Sequence, residues 1–160
     1  MSTAICPGTF DPVTLGHIDV ILRASDIFDK VVVAILDNPQ KVHMFNLEER
    51  IMMLKEATAH IPNVEIDHFN GLLVDYASKR NAKVVVRGLR AISDFEYEFT
   101  MALMNKKLCK DIETIYLMSA NEYEFVSSSI IKEVAKLGGN IDSMVPEVVS
   151  KMLKEKNMKI

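Results

Sequence analysis

Short apolar runs alternate with helical patterns from one end of the chain to the other. The runs at 30–36 and 82–88 are unbroken and rich in β-branched residues, as is typical of strands buried on both faces. Within 17–28, apolar residues recur at helical spacing and share one stripe. The whole pattern predicts β-α-β-α-β-α-β-α-β-α-α in a single domain spanning 1–160. Strict alternation favours an α/β fold, a Rossmann-like doubly wound five-stranded parallel sheet with helices on both faces.

Four polar loops follow strands of this predicted sheet. Residues 7–12, 37–41, 87–91 and 119–129 come after the first, second, fourth and fifth strands. Ligands of open parallel sheets bind beyond the carboxyl ends of the strands, where these loops would meet. The segments at the opposite edge are plain connectors. The sequence therefore predicts a single site at the carboxyl edge.

The composition narrows the class of protein. The net charge of −3 over 160 residues gives no global basic field for nucleic acid. No apolar run approaches the roughly 20 residues that cross a bilayer, and the first residues do not resemble a signal peptide. We therefore expect a cytoplasmic protein without a membrane or nucleic-acid partner. Cys6 and Cys109 lack partners at metal spacing and are interpreted as reduced thiols.

The first polar loop ends in a histidine at a predicted helix start. Gly8 and Gly16 permit close backbone approach, and the free amides of a helix N-terminus attract anions. The loop contains neither a Walker motif nor Gly-x-Gly-x-x-Gly. His17 falls in the first helical turn, where the positive helix end favours a neutral ring that still donates one hydrogen bond. Local packing or capping is the alternative for a histidine in this position.

Three cations follow strands of the predicted sheet. Arg87 ends an apolar strand, Arg90 follows it closely, and Lys41 lies in the loop after the second strand. Guanidinium groups bind phosphate through paired hydrogen bonds. A solvated surface position remains an equal alternative for Lys41. Together with His17, these residues favour an anionic ligand.

The remaining polar candidates are hydroxyls and carboxylates. Ser127, Ser128 and Ser129 precede a helix, where serine caps and can also contact a phosphate chain. Asp94 and Glu98 share a helix face and could hold a metal or a sugar hydroxyl, or could simply be solvated. No Gly-x-Ser-x-Gly elbow is present. A site lined by cations and hydroxyls, without a redox group or covalent nucleophile, favours phosphoryl or nucleotidyl transfer.

Three motifs, in order, carry a family resemblance. The segment "PGTFDPVTLGH" resembles the first signature of the nucleotidyltransferase superfamily, in its threonine-first form, and "VSSSIIKEV" is similar to the second. The run "RGLRAISDFEYEF" resembles the bacterial phosphopantetheine adenylyltransferases, and the likeness extends over essentially the whole chain. This family transfers the adenylyl group of ATP to 4′-phosphopantetheine, giving dephospho-coenzyme A and pyrophosphate. The resemblance further implies a magnesium requirement, a homohexamer and inhibition by coenzyme A.

The resemblance also implies roles for individual residues. His17, as transition-state stabiliser, Lys41 and Arg90 would be catalytic. ATP would be bound by Thr9, Phe10, His17, Gly88, Leu89, Arg90, Glu98, Tyr123, Glu124, Phe125, Val126, Ser127, Ser128 and Ser129. The phosphopantetheine substrate would contact Thr9, Lys41, Leu73 and Arg87. No residue would be a dedicated metal ligand, because ATP phosphates and water would hold the magnesium ion.

Some alternatives stay open at this level. Another transferase of the superfamily would use nicotinamide mononucleotide, glycerol phosphate or choline phosphate. A non-catalytic nucleotide sensor could have the same fold. The apolar segment 100–108 is equally compatible with a subunit contact and with a core-facing helix.

Overall fold

The computed structural model describes residues 1–37, 40–90 and 92–157, and the side chains of residues 92–94 lie outside the description. The strands are β1 (Thr3–Gly8), β2 (Lys30–Leu36), β3 (Val64–Phe69), β4 (Val84–Leu89) and β5 (Glu113–Met118). The helices are α1 (Leu15–Ile27), α2 (Leu47–Ala57), α3 (Leu73–Lys79), α4 (Ile92–Leu108), α5 (Ser128–Lys136) and α6 (Glu147–Asn157). A 3₁₀ turn at Asn121–Tyr123 lies between β5 and α5. The predicted order of elements is confirmed.

The five strands form one parallel sheet in the order β3-β2-β1-β4-β5. From β1 the chain adds β2 and β3 on one side and then returns to add β4 and β5 on the other. The predicted doubly wound sheet is therefore confirmed, with its switch point between β1 and β4. β1 is longer than the apolar run predicts, because Pro7 and Gly8 also align with Ala34 and Ile35 of β2.

Two hydrophobic cores cover the two faces of the sheet. On β1, Ala4 and Cys6 belong to one core and Ile5 belongs to the other, as alternation along a strand requires. The larger core takes side chains from α1, α2, α5 and α6. The smaller core lies under α3. The unbroken apolar runs in β2 and β4 follow from this burial on both faces.

Helix α4 exposes a series of apolar side chains. It packs against α3 and β5, yet about half of the surface of each of these residues is exposed: Phe95, Phe99, Leu103, Met104 and Leu108. We call these five residues the apolar surface of α4. Of the two explanations for segment 100–108, a core-facing helix does not fit these exposures in a single chain. No helix in the described residues is long and apolar enough to cross a membrane.

Candidate active site

A cleft of about 690 Å³ opens at the carboxyl ends of the strands, where the loops were predicted to meet. It collects side chains from the segments that follow β1, β2, β3 and β4, together with residues of α4, β5 and α5. Of the residues predicted for the site, it is lined by Thr9, Phe10, His17, Lys41, Leu73, Arg87, Gly88, Arg90, Glu98, Val126 and Ser128. These predicted positions therefore lie together at the carboxyl edge of the sheet.

The loop after β1 takes its shape from contacts between its own residues. The ring of Phe10 folds back over Gly8, and a Cβ at Gly8 would lie 2.8 Å from that ring. Phe10 itself has a φ of 49°, in the left-handed region. A side chain at position 8 would displace the ring, so glycine is required there by close packing. Beneath the loop, Arg50 is almost fully buried and donates to the Thr9 carbonyl oxygen at 3.1 Å.

Thr14 and His17 cap helix α1 reciprocally. The backbone N–H of His17 donates to Thr14 Oγ1 at 3.3 Å, and the backbone N–H of Thr14 donates to His17 Nδ1 at 3.0 Å. This is the capping-box arrangement with histidine in place of glutamate or glutamine. Because Nδ1 accepts a backbone N–H, the proton of the neutral ring lies on Nε2. Of the two predicted alternatives, capping is observed at Nδ1. The role of His17 as a ligand stays a prediction, and Nε2 is the ring nitrogen that the cap leaves available for it.

The surroundings of His17 keep its ring neutral. Burial, followed by the positive charges of Arg90 and Arg87, lowers the pKa of His17 to about 4. The ring also packs edge-on against Phe10, with 5.1 Å between the ring centroids. At neutral pH, His17 is an uncharged donor through Nε2.

Arg87 is held by a carboxylate and by a backbone carbonyl. Its Nε donates to Glu98 Oε2 at 3.1 Å, its Nη2 to Glu98 Oε1 at 2.5 Å, and its Nη1 to the Pro7 carbonyl oxygen at 3.0 Å. Tyr116 Oη donates to the carbonyl oxygen of Glu98 at 2.6 Å. The bidentate pair fixes the plane of the guanidinium at the cleft wall. The side chain of Asp94, the other carboxylate considered with Glu98, lies outside the described residues.

The segment before α5 docks onto the loop after β1. Arg90 Nη1 donates to the Val126 carbonyl oxygen at 2.9 Å, and Ser128 Oγ donates to the Pro12 carbonyl oxygen at 2.7 Å. Ser127 caps α5 by accepting from the Ile130 amide at 3.2 Å. These bonds bring the first and second signature segments to one side of the cleft.

Six predicted residues do not line the main cleft. They are Leu89, Tyr123, Glu124, Phe125, Ser127 and Ser129. Ser129 lines an adjoining cavity of about 350 Å³ that also contacts Thr9, Lys41 and Ser128. Tyr123 lies over the start of α1, where a Cβ on Gly16 would be 3.3 Å from the Cβ of Tyr123.

Several residues at the site were not singled out from the sequence. One of them is Arg50, described above. Two others are Asp11 and Lys132: the buried carboxylate of Asp11 and the ammonium group of Lys132 form an ion pair at 2.9 Å beside the smaller cavity. Tyr97 and Tyr116 line the main cleft. Asp11 stands within the quoted first signature, and this is the one signal in the sequence that marks it.

The cleft contains no activated thiol. Cys6 lies in its lining, but burial, only partly offset by the charge of Arg87, raises the pKa of this thiol to about 12. The thiolate is therefore not populated at neutral pH. Within the described ranges, no group of three or more His, Cys, Asp or Glu side chains is arranged to hold a metal ion. The site as described supplies neutral and cationic donors.

We expect the buried, neutral ring of His17 to make the stability of the protein sensitive to acid, because burial and then the charges of Arg90 and Arg87 lower its pKa. The pKa of His17 is lower in the folded chain than the ordinary value of 6.5. Just below pH 6.5, His17 therefore binds a proton in the unfolded chain but stays neutral in the folded chain. This contribution to the free energy of unfolding is complete above pH 6.5 and is lost as the pH falls towards about 4. The variant His17→Gln keeps an acceptor for the cap but does not titrate.

Urea unfolding at pH 7 and pH 4.5 measures this effect. Between the two, the wild-type protein should lose on the order of 2 kcal/mol more unfolding free energy than His17→Gln. Parallel losses in the two proteins would contradict the assignment of a neutral, cap-bound ring.

Known proteins resemble this chain in sequence and in fold. Residues 5–134 match the family model described as cytidylyltransferase-like. The phosphopantetheine adenylyltransferase of Caldanaerobacter subterraneus is 55% identical over 98% of this chain and 98% of its own length. That of Alkaliphilus metalliredigens is 50% identical over 98% of this chain and 100% of its own.

A solved structure matches at the level of the fold. A crystal structure from Vibrio parahaemolyticus, described as a nicotinate-nucleotide adenylyltransferase, has a TM-score of 0.69 and covers 96% of this chain and 99% of its own. Its identity of 20% supports the shared fold alone. With the family model and the close relatives, the cleft belongs to a nucleotidyltransferase. The chain is a member of the phosphopantetheine adenylyltransferase family.

Proposed function

We propose that this protein transfers the adenylyl group of ATP to 4′-phosphopantetheine, giving dephospho-coenzyme A and pyrophosphate. This is the penultimate step of coenzyme A biosynthesis. Relatives at 50–56% identity with this name support the assignment. The observation that carries it is the placement of the His17 ring: one nitrogen is committed to the helix cap, and the other is the donor in a cleft that also contains Arg87 and Arg90.

The chemistry needs no general base. The second pKa of a phosphate monoester is near 6, so the acceptor phosphate is largely ionised at neutral pH. One of its oxygens forms a bond to the α-phosphorus of ATP, and the bond from that phosphorus to the bridging oxygen of the β-phosphate breaks. Pyrophosphate leaves with the electron pair. Negative charge develops on the α-phosphate oxygens, and donors aimed there lower the barrier.

His17, Lys41 and Arg90 are proposed to supply those donors. A neutral imidazole can donate a hydrogen bond without carrying a positive charge. The capping bond at Nδ1 holds the ring of His17 in one orientation. Lys41 is an exposed point charge that borders both the main cleft and the smaller cavity. Arg90 is oriented by its bond to Val126. Positioning and charge neutralisation are the principal sources of rate in such transfers.

The two substrates would enter from different sides of the cleft. Gly88, which faces α1, leaves no room for a Cβ, since one would lie 2.9 Å from Val20 Cγ2. We propose that Phe10, Gly88, Arg90 and Ser128 face ATP.

Arg87 would bind the acceptor phosphate with the guanidinium hydrogens that do not bond to Glu98 or to the Pro7 carbonyl oxygen. Leu72, Leu73, Met101 and Ala102 give an apolar lining that suits the pantetheine arm.

Magnesium is proposed to arrive with ATP. The carboxylates near the phosphate positions are engaged, Glu98 by Arg87 and Asp11 by Lys132. Cationic and hydroxyl donors suit a metal held by phosphate oxygens and water rather than by a protein cage. When bound, the ion would neutralise charge on the leaving pyrophosphate. Arg90 and the serines would orient the phosphate chain that holds it.

Assembly and inhibition are further parts of the proposal. The apolar surface of α4 consists of five half-exposed apolar side chains, and contiguous exposed apolar patches mark interaction sites. A second copy of this chain is the proposed partner for this surface, in a homohexamer. Coenzyme A contains the pantetheine arm of the acceptor. It is therefore expected to compete for the same apolar lining.

Pyrophosphate release with a panel of acceptors tests the function. We expect release with ATP and 4′-phosphopantetheine, and at least 10²-fold less with nicotinamide mononucleotide, glycerol phosphate or choline phosphate, because these lack the pantetheine arm. Preference for one of those acceptors would assign a different transferase. No release with any acceptor would favour a nucleotide sensor.

The role of His17 is tested by His17→Ala. We expect kcat to fall roughly 10²- to 10³-fold, the usual effect of losing one transition-state donor, while the Kd of ATP changes less than about threefold. Single-turnover kinetics and calorimetry measure the two quantities. His60→Ala, at an exposed histidine outside the cleft lining, is the control. Equal losses in rate and affinity would make His17 a ground-state ligand.

Sedimentation velocity tests the assembly. The wild-type protein should sediment as a hexamer of the 18.0-kDa chain, and Leu103→Glu should shift it to smaller species because a charge would be buried at the contact. Leu137→Glu adds the same charge at an exposed apolar residue away from α4 and should leave the hexamer intact. A monomeric wild-type protein at working concentration would contradict the proposal.

A further inference from the structure

Asp11 is a buried carboxylate to which the proposed function gives no role. Only 4% of its surface is exposed. Its Oδ1 accepts from the Phe45 amide at 2.8 Å, and its Oδ2 accepts from the Met44 amide at 3.0 Å and from Lys132 Nζ at 2.9 Å. A buried charge that is not satisfied costs several kcal/mol, so these three donors are a requirement of the fold.

The group remains ionised in spite of its burial. Burial alone would raise the pKa of Asp11, but the hydrogen bonds from Lys132, Phe45 and Met44 outweigh it and lower the pKa. His43 Nδ1 lies 3.8 Å from Oδ2. Lys41 borders the same small cavity. The negative charge of Asp11 thus sits among donors from two other parts of the chain.

The donors belong to segments that each hold a proposed active-site residue. Met44 and Phe45 end the segment 41–45, which begins with Lys41. Lys132 lies on α5, one turn after Ser128. Asp11 itself follows Thr9 by two residues. The cavity of about 350 Å³ is bordered by Thr9, Lys41 and Ser128 together, so one carboxylate joins the three segments whose side chains meet there.

The segment 41–45 depends on this attachment. It contains neither helix nor strand, and the hydrogen bonds recorded for the amides of Met44 and Phe45 both end on Asp11. At its far end, Phe45 is fully buried, with Lys156 Nζ 4.9 Å from its ring centroid. Asp11 therefore links the backbone segment that begins with Lys41 to the loop that contains Thr9.

We propose that Asp11 is a positioning residue that fixes Lys41 relative to Thr9 and so sets the affinity for the acceptor phosphate. The inference rests on the proposed function. In this proposal Asp11 has no direct contact with the substrates. It acts through the backbone of segment 41–45, while Lys132 completes the charge balance from α5.

A double-mutant cycle tests the coupling between Asp11 and Lys41. The variant Asp11→Asn keeps the side-chain volume but turns an amide group toward a backbone N–H or toward Lys132. Calorimetry on the full chain should show the Kd of 4′-phosphopantetheine rising about tenfold or more for Asp11→Asn, and less than about twofold when the same change is made in Lys41→Ala. The Kd of ATP should change less than about threefold, because the hydrogen bond from Ser128 to the Pro12 carbonyl oxygen is a second attachment of α5 to this loop.

Matched lysine variants guard against a folding defect. Lys132→Met removes the ion pair from a partly exposed position, and it should show the same non-additivity with Lys41→Ala. Lys136→Met, on an exposed position of the same helix, should leave both Kd values unchanged. If Asp11→Asn does not fold, as judged by circular dichroism, the cycle with Lys132→Met decides.

The outcomes separate the inference from the proposed function. Additive effects in the two cycles, or equal weakening of both ligands, would mean that Asp11 only stabilises the fold, and would overturn the inference. A wild-type protein that neither binds 4′-phosphopantetheine nor releases pyrophosphate would overturn the proposed function, and the inference with it. Non-additivity confined to the acceptor supports the positioning role.

Discussion

The position of β1 in the centre of the sheet is the constraint on which the rest of the molecule depends. Both of its neighbours, β2 and β4, run parallel to it, and both of its faces are buried. The chain that leaves its carboxyl end enters the gap between two sets of crossovers. A concave site therefore forms there as a result of topology. The loop after β1 and the start of α1 occupy the floor of that gap.

Within the gap, secondary structure and chemistry use the same atoms. The cap that starts α1 also selects the tautomer of His17, and the carbonyl at the end of β1 that orients Arg87 comes from Pro7. Ser128 begins α5 and also holds the loop through Pro12. Each polar side chain here satisfies a backbone group on one side and faces the cleft on the other. Little of the arrangement can change without affecting the fold.

Much of this could be predicted from local sequence. Hydrophobic periodicity and β-branched runs predicted the order of elements. The polar residues after the strand ends predicted the edge of the sheet at which the site lies, with Thr9, His17, Lys41, Arg87 and Arg90. These signals could be read because they depend on residues that are neighbours in the chain. The pairings that fix their geometry join residues far apart in the chain. Asp11 meets Phe45 and Lys132, and Arg87 meets Glu98 across a strand and a helix. No periodic pattern marks such partners, and segment 100–108 was ambiguous because its helix is apolar on several sides.

The tyrosines that line the cleft have a spectroscopic consequence. The chain has four tyrosines and no tryptophan, so its intrinsic ultraviolet emission on excitation near the tyrosine absorption band comes from tyrosine. Tyr97 and Tyr116 border the cleft, and Tyr123 covers the start of α1, whereas Tyr76 lies on α3 and donates a hydrogen bond to Asp67 of β3. Three of the four emitters are therefore in or beside the site. Ligand entry can be followed in the unlabelled protein, since the optical signal is concentrated where binding takes place.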